Sequence, residues 1–223
     1  MGQISESLYF DEPGPSNTQE ILKQAMKKIE ELELSNVVIA SDTGSTVKSF
    51  LRIAPNKQLN ITVITNHRGS MMPVSYLSDK YKDSRAKKEQ YMKERIESFP
   101  ISISDENLRE FEKKGIKVHF LPDTLHSIRN KLDPFIPKHL RPLDFEAGAD
   151  LSLLNILSNG FRVCIGIAVI SVKGGFVPEG EIALSIAGSG VAGGGADTAL
   201  IIRAHSDPRK CCIEKILGFP RAK

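Results

Sequence analysis

Apolar residues recur at helical spacing from Ile21 and Leu22 through Ala25, Met26 and Ile29 to Leu32, with Lys23, Lys27, Lys28, Glu30 and Glu31 on the other side. This two-sided pattern predicts a surface helix that ends near Leu34 and lays one face on a core. Asn17 and Glu20 have capping-box spacing after the rigid turn Glu12-Pro13-Gly14-Pro15, which predicts the helix start at Asn17. The pattern then changes. Val37-Val38-Ile39-Ala40 is apolar without alternation, as suits a strand covered on both faces. Val47, Phe50, Leu51 and Ala54 share one face of a second helix closed by Pro55, and Ile61-Thr62-Val63-Ile64-Thr65 follows as a strand. Strand, helix and strand in this order predict a βαβ unit with parallel pairing.

From Asn66 to Arg95 the chain is highly charged with both signs interspersed, which predicts a solvated helical face, with a lid over the sheet edge as the functional alternative. A capped helix is expected from Ser104 or Asp105 to Lys114, stopped by Gly115, and then a strand over Ile116–Phe120. Pro122 to Pro142 reads as irregular chain or short helices. Phe161 to Val172 fits two patterns: its β-branched residues favour a strand, while Phe161, Cys164, Ile165, Ala168 and Val172 keep helical spacing before Gly174 and Gly175. Pattern alone leaves both open. Ile182–Ala187 and Thr198–Arg203 read as strands joined by a glycine-rich loop, and the tail as a short helix around Cys211–Leu217. There is no internal repeat and no linker of shifted composition, so one domain is expected across residues 1–223.

Composition narrows the function classes. A hydrophobic content of 40% supports a sizeable core. Basic residues exceed acidic ones by only 30 to 27, too little for a nucleic-acid or membrane-surface footprint. Met1–Tyr9 has neither a basic start nor an apolar stretch, and no apolar run reaches the roughly eighteen residues that cross a bilayer, so a cytoplasmic location is expected. Cys164, Cys211 and Cys212 form neither a disulfide framework nor a CxxC pair and read as reduced thiols. His67, His119, His126, His139 and His205 lack metal-ligand spacing, and no metal site is expected.

Three segments carry candidate chemistry. Ser41-Asp42-Thr43-Gly44-Ser45-Thr46 joins the carboxyl end of a buried strand to the start of a helix, where parallel α/β sheets bind ligands. Hydroxyls from Ser41, Thr43, Ser45 and Thr46, the open backbone at Gly44 and the first helical N–H groups suit an anion there. Alternatively, the hydroxyls only cap the helix. Gly188-Ser189-Gly190-Val191-Ala192-Gly193 is a literal GxGxxG, but the apolar run after Asp197 and Thr198 reads as a strand and not as the helix a dinucleotide fingerprint needs. Gly188, Ser189 and Gly190 would still let backbone approach a ligand that Asp197 and Thr198 orient, unless the loop is a plain flexible hairpin. Asn66, His67 and Arg68 follow the second strand of the βαβ unit, where Arg68 would pair with a phosphate and His67 would titrate near neutrality. Catalytic residues are not identified.

The strand and loop Val37 to Thr46 with Ile61–Thr65, and Gly180 to Gly188 with Gly195–Ala199, are similar to segments of the pyruvate kinase C-terminal domain. Tyr9-Phe10-Asp11-Glu12-Pro13-Gly14-Pro15-Ser16-Asn17-Thr18 resembles the opening of free-standing archaeal and bacterial proteins built on that domain alone. The resemblance spans Tyr9 to Arg203. It implies a three-layer α/β/α fold around a mostly parallel sheet, with Phe161–Val172 a helix. It also implies that Ser41, Thr43, Gly44, Ser45 and Thr46 cradle a phosphate, and that Gly188, Ser189 and Gly190 close over it. The catalytic barrel of pyruvate kinase is missing, so its phosphoryl transfer is not expected. The expected function is therefore binding of a small phosphate-bearing ligand, with FMN the first cofactor to test. A small FMN-dependent oxidoreductase and a structural subunit without ligand are the alternatives, and assembly into a homo-oligomer is left open. On the loop's design, Gly44→Val is expected to block a phosphate while sparing the fold.

Overall fold

The computed structural model describes residues 6–54, 58–122, 142–148, 151–190 and 194–221. Its strands are β1 (Leu8–Phe10), β2 (Asn36–Ala40), β3 (Asn60–Thr65), β4 (Met71–Pro73), β5 (Ser98–Pro100), β6 (Lys117–Phe120), β7 (Ile182–Ala187), β8 (Thr198–Arg203) and β9 (Cys212–Pro220). Its α-helices are α1 (Thr18–Glu31), α2 (Ser45–Ile53), α3 (Lys82–Lys93), α4 (Asp105–Lys113), α5 (Pro142–Ala147) and α6 (Asn159–Lys173). Seven strands form one sheet in the order β1-β9-β8-β7-β2-β3-β6, and β4 pairs with β5 in a small antiparallel ribbon. β2 lies parallel to β3 and β7, β3 to β6, and β1 to β9, while β8 runs antiparallel to β7 and β9.

The period of two along each strand sorts apolar side chains to opposite faces. Val37, Ile39, Val63, Leu184, Ile186, Ala199 and Ile201 join the core under α1, α2 and α4. Their neighbours Val38, Ile64, Ala183, Ala187, Leu200 and Ile202 join a second core under α5 and α6. The sheet is thus covered on both faces, a three-layer mostly parallel α/β/α arrangement, which is why β2 reads as an unbroken apolar run.

The ambiguous segment is the helix α6, and its surroundings explain the ambiguity. It packs on β2, β3, β7 and β8 with one side and on α5 and the 3-10 turn Ser152–Ile156 with another, so nearly every residue from Gly160 to Val172 is buried. A helix with no polar face shows no amphipathic period. Its start is capped by Ser158 Oγ, which accepts from Phe161 N at 3.0 Å. Gly160 and Gly166 allow its close approach: a Cβ on them would sit 2.2 Å from Thr198 Oγ1 and 2.6 Å from Leu143 Cδ2.

Two sequence expectations are corrected. Asn17 does not cap α1: its backbone is already helical, at φ −81° and ψ −10° after the 3-10 turn Pro15–Asn17, and its side-chain amide donates to Glu12 O. The tail is not a helix around Cys211–Leu217 but the strand β9, inserted between β8 and β1. Its register with β8 shifts between Ala199 and Leu200 and again between Ile201 and Ile202. Each bulge breaks the alternation by which a strand is recognised. The stretch Pro122–Pro142 and residues 191–193 of the glycine loop lie, apart from Pro122 and Pro142, outside the described residues.

The charged stretch after Asn66 contains β4, a 3-10 turn at Val74–Tyr76, and α3, whose single buried residue is Ser84. Its solvated face matches the charge pattern. Val74, Leu77 and Phe99, with Met72, Tyr91, Ile96 and Ile101, form a third small apolar cluster of their own. From this unit α3 reaches the rest of the fold through polar groups: Asp83 Oδ2 accepts from Ser16 N at 2.9 Å, and Lys82 N donates to Glu12 Oε2 at 3.2 Å.

Candidate functional site

β2 and β7 are parallel neighbours, yet the chain leaves β2 towards β3 and leaves β7 towards β8, on the opposite side. Divergence of this kind opens a crevice at the carboxyl ends of the two strands. The loop Ser41 to Thr46 stands on one side of it and the loop after Ala187 on the other. A Cβ built on Gly194 would lie 3.7 Å from Ser45 Oγ, which brings the two glycine-containing loops to the same place.

Ser41 N donates to Ile64 O, extending the β2–β3 ladder by one residue, and Ser41 Oγ accepts from Gly44 N at 3.1 Å. That bond closes a tight turn, with Gly44 in the left-handed region at φ 90°, and α2 begins at Ser45. Among the described residues no side chain caps the first turn of α2. The expected gathering of four hydroxyls is only partly realised. Ser41 and Thr46 are buried, Thr43 is half-buried, and Ser45 is exposed. Thr43 O accepts from Asn107 Nδ2 at 2.8 Å, tying the loop to α4. Gly44 itself is packed against α4, since a Cβ there would lie 2.9 Å from Phe111 Cζ. Gly44→Val therefore cannot spare the fold, which corrects the sequence expectation: β-branching at a positive φ and a clash with a core ring both oppose folding.

In the second loop the polar groups hold the protein to itself. Asp197 is 1% exposed; its Oδ2 accepts from Gly14 N and Ser189 N, each at 3.1 Å, and its Oδ1 accepts from Thr198 Oγ1 at 2.8 Å. Burial holds this carboxyl above its ordinary range, against hydrogen bonds from Thr198 and Ser189 that pull it down. Asn159 Nδ2 donates to Ser189 O at 2.9 Å. Ala196 N donates to Thr18 Oγ1 at 2.9 Å, so the loop also pins the start of α1. The loop crosses itself at Gly188, where a Cβ would meet Gly195 O at 2.2 Å, and Gly190 takes φ 71°. Asp197 and Thr198 thus serve as a latch between this loop and the turn at Gly14.

The third segment splits. Asn66 Nδ2 donates to Asp42 Oδ1 and to Ile101 O, both at 2.9 Å, which places Asn66 at the first loop. His67 Nδ1 lies 2.7 Å from Ser70 Oγ. Arg68 is paired with Asp105 Oδ1 at 2.8 Å at the start of α4, and its guanidinium stacks 4.3 Å from the centre of the Phe120 ring.

Two residues at the site were passed over in the sequence. Asp42, half-buried beside the seat, has its carboxyl pushed up to about 6 by burial, a shift that Lys87 opposes. Lys87 comes from α3; burial lowers its ammonium while Asp42 acts against that. Asp42 was discoverable, since it stands inside the flagged loop. Lys87 was not, being one of many cations in a charged stretch, none of which the local pattern singles out.

Two open clefts, of about 350 and 510 Å³, lie near Glu12 and Asp83 and near Lys173 and Arg209; neither is lined by residues 41–46. Among the described residues no group of three or more His, Cys, Asp or Glu is placed to hold a metal ion, and no helix is long and apolar enough to cross a membrane. No family model matches the chain.

Proposed function

We propose that this protein binds a small phosphate-bearing ligand, with the phosphate at the first turn of α2. One observation carries the reading: the uncapped start of α2 opens at the carboxyl ends of two parallel strands whose chains diverge. Among the described residues no side chain accepts from the first backbone N–H groups there, and the helix dipole adds roughly half a positive charge. The resemblance to pyruvate kinase C-terminal domains points the same way, because the residues similar to that family's phosphate loop are those that form this turn. FMN is the first cofactor to test and a sugar phosphate the second; the seat itself favours neither.

The test uses Ser45, exposed at the first helical position. Ser45→Glu adds a carboxylate where the dipole welcomes one, so the fold should stay within about 0.5 kcal/mol of the parent or gain slightly. The same carboxylate occupies the place of the phosphate. Calorimetric titration of FMN and glucose 6-phosphate is expected to show binding of at least one to the parent protein, and a loss of tenfold or more in the variant. Equal affinity of parent and variant for whichever ligand binds would remove the seat from α2.

A further inference from the structure

The turn Glu12-Pro13-Gly14-Pro15 and the 3-10 turn that continues it are gripped from two sides by distant segments of the chain. On the inner side is the glycine loop. Gly14 N donates to Asp197 Oδ2 at 3.1 Å, Ala196 N donates to Thr18 Oγ1 at 2.9 Å, and a Cβ on Gly195 would lie 2.4 Å from Pro15 Cα. Pro13, Gly14 and Thr18 are buried.

On the outer side is α3. Asp83 Oδ2 accepts from Ser16 N at 2.9 Å, and Glu12 Oε2 accepts from Lys82 N at 3.2 Å. Each carboxylate thus serves a helix start on the other segment. Glu12 serves that of α3, where Tyr81 at the N-cap makes no side-chain capping bond, and Asp83 serves the 3-10 turn that runs into α1. Gly14 also abuts α3, since a Cβ on it would lie 2.5 Å from Asp83 Oδ2. Both bonds are open to solvent, beside the cleft of about 350 Å³ that Glu12, Ser16, Lys82 and Asp83 help to line.

A stiff segment held at both sides transmits movement from one to the other. Pro13 and Pro15 fix two of its φ angles, and within it Asn17 N donates to Gly14 O at 3.3 Å and Asn17 Nδ2 to Glu12 O at 2.8 Å. Gly14 N, held by the glycine loop, and Ser16 N, held by α3, belong to the same short turn. We infer that this turn is a two-sided latch coupling α3 to the glycine loop, so that release of α3 at Glu12 and Asp83 loosens the loop at Ser189 and Ala196. The solvent-open half gives way first, because its bonds compete with water whereas the bond to Asp197 is buried. The glycine loop forms one side of the crevice beyond β2 and β7, so whatever displaces α3 also acts on that crevice. The coupling is a property of the protein alone and stands whether or not α2 seats a phosphate.

Native-state hydrogen exchange followed by NMR on the full-length protein tests the latch. The reporters are the amides of Ser189 and Ala196, which bond to Asp197 Oδ2 and Thr18 Oγ1 and not to α3. Asp83→Ala and Glu12→Ala are each expected to speed exchange at both reporters by about threefold or more relative to the amides of β2 and β7. Coupling is reciprocal, so Thr18→Val, which removes the acceptor for Ala196 N, is expected to speed exchange of Arg85 N, the amide that donates to Tyr81 O at the start of α3. Should Thr18→Val not fold, the Asp83→Ala and Glu12→Ala measurements decide alone. Unchanged exchange at Ser189 and Ala196 in those two variants, or a rise merely in step with β2 and β7, would overturn the coupling and leave the two carboxylates as plain helix caps.

Discussion

Asp42 is where one residue's environment becomes measurable. Its carboxyl is raised from 3.8 to about 6, chiefly by burial, while its Oδ1 accepts from Asn66 Nδ2 at 2.9 Å. An acid whose folded value exceeds its unfolded one holds the extra proton in the folded state, so its contribution to stability falls as pH rises through that window. The ceiling is roughly 3 kcal/mol, and partial exposure reduces it to about 1–2 kcal/mol. Asp42→Asn keeps an acceptor for Asn66 and removes the titration. Urea denaturation between pH 4 and pH 7 is expected to show the variant gaining on the parent as pH rises; a constant difference would mean that Asp42 is not strained by burial. Nothing in the sequence separates this aspartate from its hydroxyl neighbours. Its surroundings include Asn66, which bonds it from 24 positions away, and the charge of Lys87 from α3. The turn that holds it was legible, because Gly44 and Ser41 act within four residues of each other.

At the level of elements, legibility follows whether an element keeps two unlike faces. α1 and α2 do, and the pattern located both within a few residues. α6, buried all round, left two readings open. β9 misled, since its two bulges place extra residues where alternation should continue. Its Leu217 is 3% exposed in the core beneath α1, whereas Ile213 on the same strand is 37% exposed. Leu217→Ala is therefore expected to cost about 2–3 kcal/mol and Ile213→Ala less than about 1 kcal/mol, read from urea unfolding midpoints. A frayed tail helix would make both substitutions nearly neutral. The order β1-β9-β8 adds a reason for the larger cost: among the described residues β9 is the one strand paired with β1, so loosening it also releases the strand that leads into the turn at Gly14.

Across the whole molecule the apolar residues divide into two large cores pressed on the sheet and one small cluster that belongs to the β4–β5 ribbon and α3. Cooperative unfolding units follow such divisions, because an element with few buried apolar contacts opens without exposing the main core. α3 buries one residue, a serine, and its start is tied to the body by bonds from Asp83 and Glu12 that are open to solvent. β7, β8 and α6, by contrast, are buried along almost their whole lengths. Native-state hydrogen exchange in rising, sub-denaturing urea is then expected to release the amides of residues 82–93 at an opening free energy several kcal/mol below that of β7 and α6. Its urea dependence should be small, since little surface is uncovered. A charged helix that frayed alone would leave the β4–β5 amides protected after those of α3 had exchanged. One unit resting on its own apolar cluster would lose both together, and that joint opening is the expected result. If α3 exchanged only with global unfolding, the β4–β5 ribbon and α3 would belong to the main cooperative unit despite their separate apolar cluster.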